Sequence, residues 1–116
     1  MPTKVVIREF GGSEILELSK FSLQAPNSDE VTVEHRAIGL NYIDIYQRTG
    51  LYPLELPTAV GVEASGIVTE VGDSVSRLNI GDRVAYASAR PGAYSEMRSL
   101  DATQVCKLPE DVSFKV

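Results

Sequence analysis

Short apolar stretches broken at close intervals by glycine and Asx turns constrain this chain more than any other feature. Val5-Val6-Ile7 is closed by Gly11-Gly12, and Glu30 to Ala37 alternates strictly, with Val31, Val33, His35 and Ala37 on one face and Thr32, Glu34 and Arg36 on the other. Period-two alternation places successive side chains on opposite faces of a half-buried strand. Gly66 to Val71 and Asp82 to Ala87 flank the turn-rich runs Gly72-Asp73-Ser74 and Asn79-Ile80-Gly81-Asp82. Ala93 to Met97 and Gln104 to Leu108 are expected to add two further strands. Strands this short and this closely spaced predict a mostly β chain whose sheet is closed or nearly closed, because closure protects the edges.

One helix interrupts the pattern. Asn41 can cap it through its side-chain oxygen, Asp44 lies in the first turn where a carboxylate favours the helix dipole, and Gly50 can end it. On this reading Ile38, Tyr42 and Ile45 face the core. His35, on the apolar face of its strand, is expected to be a satisfied core-edge histidine, and Cys106 a small core residue.

A chain of 116 residues suits one domain with its own core. Its 43% hydrophobic and 23% charged residues are ordinary for a globular protein. Sixteen acidic residues against eleven basic ones give a net charge of -5, which disfavours nucleic acid or an anionic membrane as a nonspecific partner. No apolar run approaches the roughly 20 residues needed to span a bilayer, and Met1-Pro2-Thr3-Lys4 does not open a secretory signal. With one cysteine the chain forms no internal disulfide, so a cytoplasmic location is expected.

Two segments carry a resemblance to a known family. Ala37-Ile38-Gly39-Leu40-Asn41-Tyr42-Ile43-Asp44-Ile45-Tyr46 and Val60-Gly61-Val62-Glu63-Ala64-Ser65-Gly66-Ile67-Val68 are similar to the medium-chain dehydrogenase/reductase superfamily. Its zinc-dependent members place a Cys in the first segment and Gly-His-Glu in the second; here Asn41 and Val62 stand at the Cys and His positions. Zinc prefers thiolate and imidazole ligands, so a zinc-free branch is implied. The run Asn41 to Pro53 most resembles the quinone oxidoreductases, also called zeta-crystallin-like reductases. Gly81-Asp82-Arg83-Val84 and Gly92-Ala93-Tyr94-Ser95-Glu96 resemble further landmarks of the superfamily and are taken as markers of fold.

The resemblance implies a GroES-like, partly open β-barrel with one short helix, the substrate half of a medium-chain reductase, spanning residues 1–116. It implies transfer of hydride from NADPH to a quinone or enone, with no zinc. Asn41, Tyr46 and Tyr52 are the implied catalytic residues, the phenols donating to charge developing on a quinone oxygen. Asn41, Asp44 and Tyr46 are the implied cofactor contacts. Glu63 is expected to persist as a buried, hydrogen-bonded carboxylate. No Gly-x-Gly-x-x-Gly occurs, so the dinucleotide-binding domain is expected to lie outside this sequence and the chain to be inactive alone. The full-length family member is expected to be a homodimer. The alternatives are a noncatalytic GroES-like binding module and one piece of a split reductase.

Overall fold

A computed structural model describes residues 1–88 and 90–115. Among the described residues eight strands form two antiparallel sheets. Strands β1 (Thr3–Ile7), β2 (Glu17–Lys20) and β4 (Thr58–Ala59) pair in the order β2-β1-β4. Strands β3 (Glu30–Ile38), β5 (Glu63–Val71), β6 (Arg83–Ala87), β7 (Met97–Asp101) and β8 (Val105–Lys107) pair in the order β7-β3-β5-β6-β8. The sheets are stitched where Val5 N–H donates to the Tyr94 carbonyl at 2.8 Å and Glu96 N–H to the Thr3 carbonyl at 2.9 Å. This is the mostly β, partly open barrel that the family resemblance implies, more open than the closed or nearly closed sheet predicted from the turn spacing.

The alternation in β3 does its expected work at Val31 and Val33, which are fully buried with Val68, Leu78, Val84 and Val105. Thr32, assigned to the polar face, is fully buried as well. Its hydroxyl lies 2.7 Å from that of Ser99 on β7, and the register slips between Thr32 and Val33, so the polar face is covered at this point. A buried hydroxyl so paired avoids the penalty of an unmade hydrogen bond.

Other expectations need correction. The strand placed at Ala93 to Met97 begins only at Met97, because the single proton of the Ser95 hydroxyl is shared between the Gly92 and Met97 carbonyls, 3.1 and 3.0 Å away, and holds the preceding residues in a turn. Cys106 is exposed: on β8 it is the neighbouring Val105 that points into the core. His35 is satisfied, as expected. The Ser95 carbonyl can only accept, so Nδ1, 2.7 Å away, carries the ring proton, and Nε2 accepts from the Tyr86 hydroxyl at 2.9 Å. Burial first, and the nearby Arg98 guanidinium second, hold the His35 pKa below its ordinary value, against the opposing pull of the Ser95 carbonyl.

The helix α1 (Tyr42–Thr49) has Asn41 at its N-cap and Gly50 at its C-cap, where φ of 88° suits a residue without Cβ. Its orientation reverses the expectation. Tyr42 is 77% exposed, with Ile45 and the preceding Ile38 also exposed, whereas Asp44 and Gln47 are the buried residues of the helix. The polar edge is turned inward because the barrel offers Asp44 a partner there.

Candidate functional site

That partner is Tyr94. Its hydroxyl donates to Asp44 Oδ2 at 2.7 Å, across fifty residues of sequence. The same Oδ2 accepts the Asn41 backbone N–H at 3.0 Å, closing the carboxylate arm of a capping box. A carboxylate has no proton to give, so both bonds point at Asp44. Loss of hydration, then the hydrogen bond to Asp44 and its charge, push the Tyr94 phenol well above its ordinary pKa, so it remains a donor throughout the working range. Tyr94 is itself held by backbone bonds on both sides, its N–H to the Val60 carbonyl at 2.9 Å and its carbonyl to Val5 N–H.

From this anchor the Asn41 side chain reaches sideways, and Nδ2 donates to Glu63 Oε2 at 3.1 Å. Glu63 opens β5 and is exposed, not buried as expected; it is hydrogen-bonded as expected. Its side chain runs over Gly39, where an added Cβ would collide with the Glu63 carboxylate. Gly39 thus keeps clear the path by which Glu63 reaches Asn41.

Asn41 and Asp44 line an open depression of about 680 Å³ walled by Leu16, Leu40, Tyr42, Ile45 and Val60, with Tyr94 and Arg48 supplying polar groups. Tyr46 and Tyr52 stand outside it. Their rings meet edge to face at 5.6 Å, and Tyr42 stacks on Tyr46 at 6.5 Å, forming a solvent-facing aromatic cluster. The implied site residues therefore fall into two groups: Asn41 and Asp44 in the depression, Tyr46 and Tyr52 beside it on the outer face of α1. Tyr94, Arg48 and Leu40 were not foreseen. Tyr94 was visible only as part of a turn motif, and nothing local in the sequence ties it to Asp44.

The donor set here does not fit zinc. Asn41 and Val62 offer an amide and an alkyl group at the two family ligand positions, His35 has both ring nitrogens engaged, and Cys106 lies on β8. Among the described residues no three His, Cys, Asp or Glu side chains cluster to hold a metal. A flat amide-bearing ring does fit: the depression is apolar, open, and rimmed by one fixed amide.

Residues 27–110 match the family described as alcohol dehydrogenase GroES-like domain. The chain is 41% identical over 116 residues to the quinone oxidoreductase of Salmonella typhimurium, covering 99% of this chain and 36% of that protein. It superposes on the crystal structure of Escherichia coli quinone oxidoreductase complexed with NADPH with a TM-score of 0.94 and 42% identity, covering 97% of this chain and 35% of the other. For the quinone oxidoreductase of Pseudomonas syringae pv. tomato the TM-score is 0.93 and the identity 45%, with coverage of 98% and 35%. The chain thus spans about a third of the length of these relatives.

Proposed function

Because this chain belongs to the alcohol dehydrogenase GroES-like domain family, we propose that its 116 residues form the substrate-side domain of a zinc-independent, NADPH-dependent quinone reductase. The observation that carries this reading is the fixed Asn41 amide at the rim of an apolar depression, beside three clustered phenols and in place of a metal ligand. Bound nicotinamide would supply the hydride for an electron-poor quinone or enone. The chain's own residues supply position and environment. Asn41 holds the carboxamide edge of the ring, Leu40, Tyr42 and Ile45 exclude water from one wall, and Asp44 keeps Asn41 in place through its backbone. Tyr46 and Tyr52 donate to the acceptor oxygen as charge develops on it, the interaction that distinguishes transition state from ground state. The dinucleotide phosphates need backbone donors of a glycine-rich turn, which this sequence lacks.

A noncatalytic binding module draws on the same exposed aromatic face, and one assay separates the readings. The chain alone is expected to show no quinone-dependent loss of NADPH absorbance. The same residues joined to the dinucleotide-binding domain of a quinone oxidoreductase are expected to turn over. In that joined enzyme Tyr46→Phe and Asn41→Ala should each lower turnover about 10-fold or more, the scale of losing a donor or a positioning group. Turnover by the chain alone, or two silent substitutions, would overturn the assignment.

A further inference from the structure

A histidine that accepts a hydrogen bond at one ring nitrogen loses that capacity when it is protonated, so whatever donates there must turn away. His35 is such a residue. Its Nε2 accepts from the Tyr86 hydroxyl at 2.9 Å while Nδ1 donates to the Ser95 carbonyl at 2.7 Å. The Tyr86 oxygen in turn accepts from Arg98 Nη1 at 3.5 Å, with the guanidinium 5.5 Å from the centre of the phenol ring, and Arg98 Nη2 donates to the Arg90 carbonyl at 2.7 Å. One line of contacts thus runs from a titratable ring on β3, through β6 and β7, to residues 90–92. Arg98 and residues 90–92 together line an open cleft of about 1040 Å³ between β7 and β4. Residue 92 leads through Ala93 into Tyr94, whose hydroxyl holds Asp44.

We infer that His35, Tyr86 and Arg98 form a proton-operated latch: with His35 neutral, Arg98 holds the Arg90 carbonyl, and protonation of His35 reverses the His35–Tyr86 bond, drives Arg98 off the phenol and releases residues 90–92 from β7. The protonated ring must donate from Nε2, so the phenol oxygen has to accept and its own proton has to leave that line. Among the described residues the other side chain on this hydroxyl is Arg98, which can only donate. Two cations then converge on one phenol that is 5% exposed, where little water screens them. Tyr86 does not relieve this by ionising, because burial holds its pKa above the ordinary value against the opposing pull of Arg98. Arg98, half-buried at the cleft, is the member that can move outward. The other charges around His35 are committed elsewhere. Glu34 and Arg36 pair with each other at 2.9 Å, Glu96 Oε1 accepts the Thr3 N–H at 2.8 Å, and Lys4 lies over the Phe21 ring at 4.8 Å. Gly66 is the residue opposite His35 on β5, and the Tyr94 phenol is spent on Asp44. Burial first and Arg98 second already hold the folded His35 pKa below 6.5, so the latch is closed at neutral pH and opens as pH falls through the folded value.

The test is an NMR titration of the 116-residue chain from about pH 8 to about pH 4. The His35 ring signals, the Arg98 Nε–H and the Arg90 and Gly92 amides should move together with one midpoint below 6.5, while the β3 and β5 amides stay native. In His35→Gln the Arg98 and Gly92 responses should vanish; a response that persists belongs to the Glu34 or Glu96 carboxylate and counts against the latch. In Tyr86→Phe, which keeps the ring, His35 should still titrate but Arg98 and Gly92 should no longer follow it. Arg98→Met keeps the stem without a donor or a charge. There the His35 midpoint should rise, and the Gly92 amide should take its acid-state position already at neutral pH. Arg98 and Gly92 signals that ignore His35, that move only as the whole spectrum unfolds, or that follow His35 undiminished in Tyr86→Phe would each overturn the inference, as would a His35 midpoint that does not rise in Arg98→Met. None of these outcomes depends on hydride transfer, so a failure of the quinone reductase reading would be seen separately in the turnover assay.

Discussion

Removing one oxygen atom, in Tyr94→Phe, tests whether the site is held together as described. The ring remains, so no cavity opens; only the 2.7 Å bond to Asp44 is lost. Asp44 is 6% exposed, and its Oδ1 has no partner among the described residues, so of the bonds seen the carboxylate would keep that to the Asn41 N–H. Hydrogen bonds to a charged group contribute about 1.5–3 kcal/mol, and about 2 kcal/mol is expected here. For 116 residues the unfolding entropy is about 0.24 kcal/mol/K, so Tm should fall by about 8 °C. The loss should be concentrated in α1, because eight residues do not sustain a helix without tertiary ties. Thermal unfolding by circular dichroism reads the first quantity and amide hydrogen exchange the second. A double-mutant cycle with Asp44→Ala isolates the pair. A Tm drop under about 2 °C, or a coupling below about 0.5 kcal/mol, would refute the tie between Tyr94 and the helix.

Three further outcomes are expected. His35 has a folded-state pKa below its ordinary 6.5, so on acidification the unfolded chain takes up the proton first; stability should fall as pH drops below 6.5 and level off beneath the folded value, and His35→Gln should abolish that limb in urea titrations read at several pH values. Chain purified without chelators should contain no stoichiometric zinc by elemental analysis, and one tightly held zinc per chain would contradict the donor set described. The exposed Leu40, Tyr42, Leu51 and Tyr52 should drive concentration-dependent association by light scattering, suppressed by Leu40→Gln with Tyr42→Gln; a strictly monodisperse chain that binds no apolar dye would refute it.

Local signals were legible in the sequence where the partner is nearby or implied by period. The alternation of Val31 and Val33, the glycine turns and the bracket of Asn41 and Gly50 around α1 all translate directly into structure. The helix face did not, because an apolar stripe of Ile38, Tyr42 and Ile45 reads as core unless the fold supplies a stronger inward pull on Asp44. The strands β2 and β4 escaped notice for a related reason. With Leu18 exposed and β4 only two residues long, neither carries a burial period, and both are defined by pairing to β1. Of the residues lining the depression, Asn41 and Asp44 lay in a legible motif, whereas Tyr94 sat in plain view as a turn marker.

The inverted helix links the fold to the proposed chemistry. Had Tyr42 and Ile45 packed inward as their spacing suggests, Asp44 would have faced water and Asn41 would have been held by the chain's own turn alone. Turning the polar edge inward does two things at once. It brings Asp44 under Tyr94, which pins the Asn41 backbone in a capping box while the Asn41 amide nitrogen donates to Glu63. It also presents Leu40, Tyr42 and Ile45 outward as an apolar wall beside that amide, the wall on which the proposed ring binding relies. The exposed surface is unfavourable for the chain in solution, and the buried Asp44 bonds hold the helix in the orientation that exposes it.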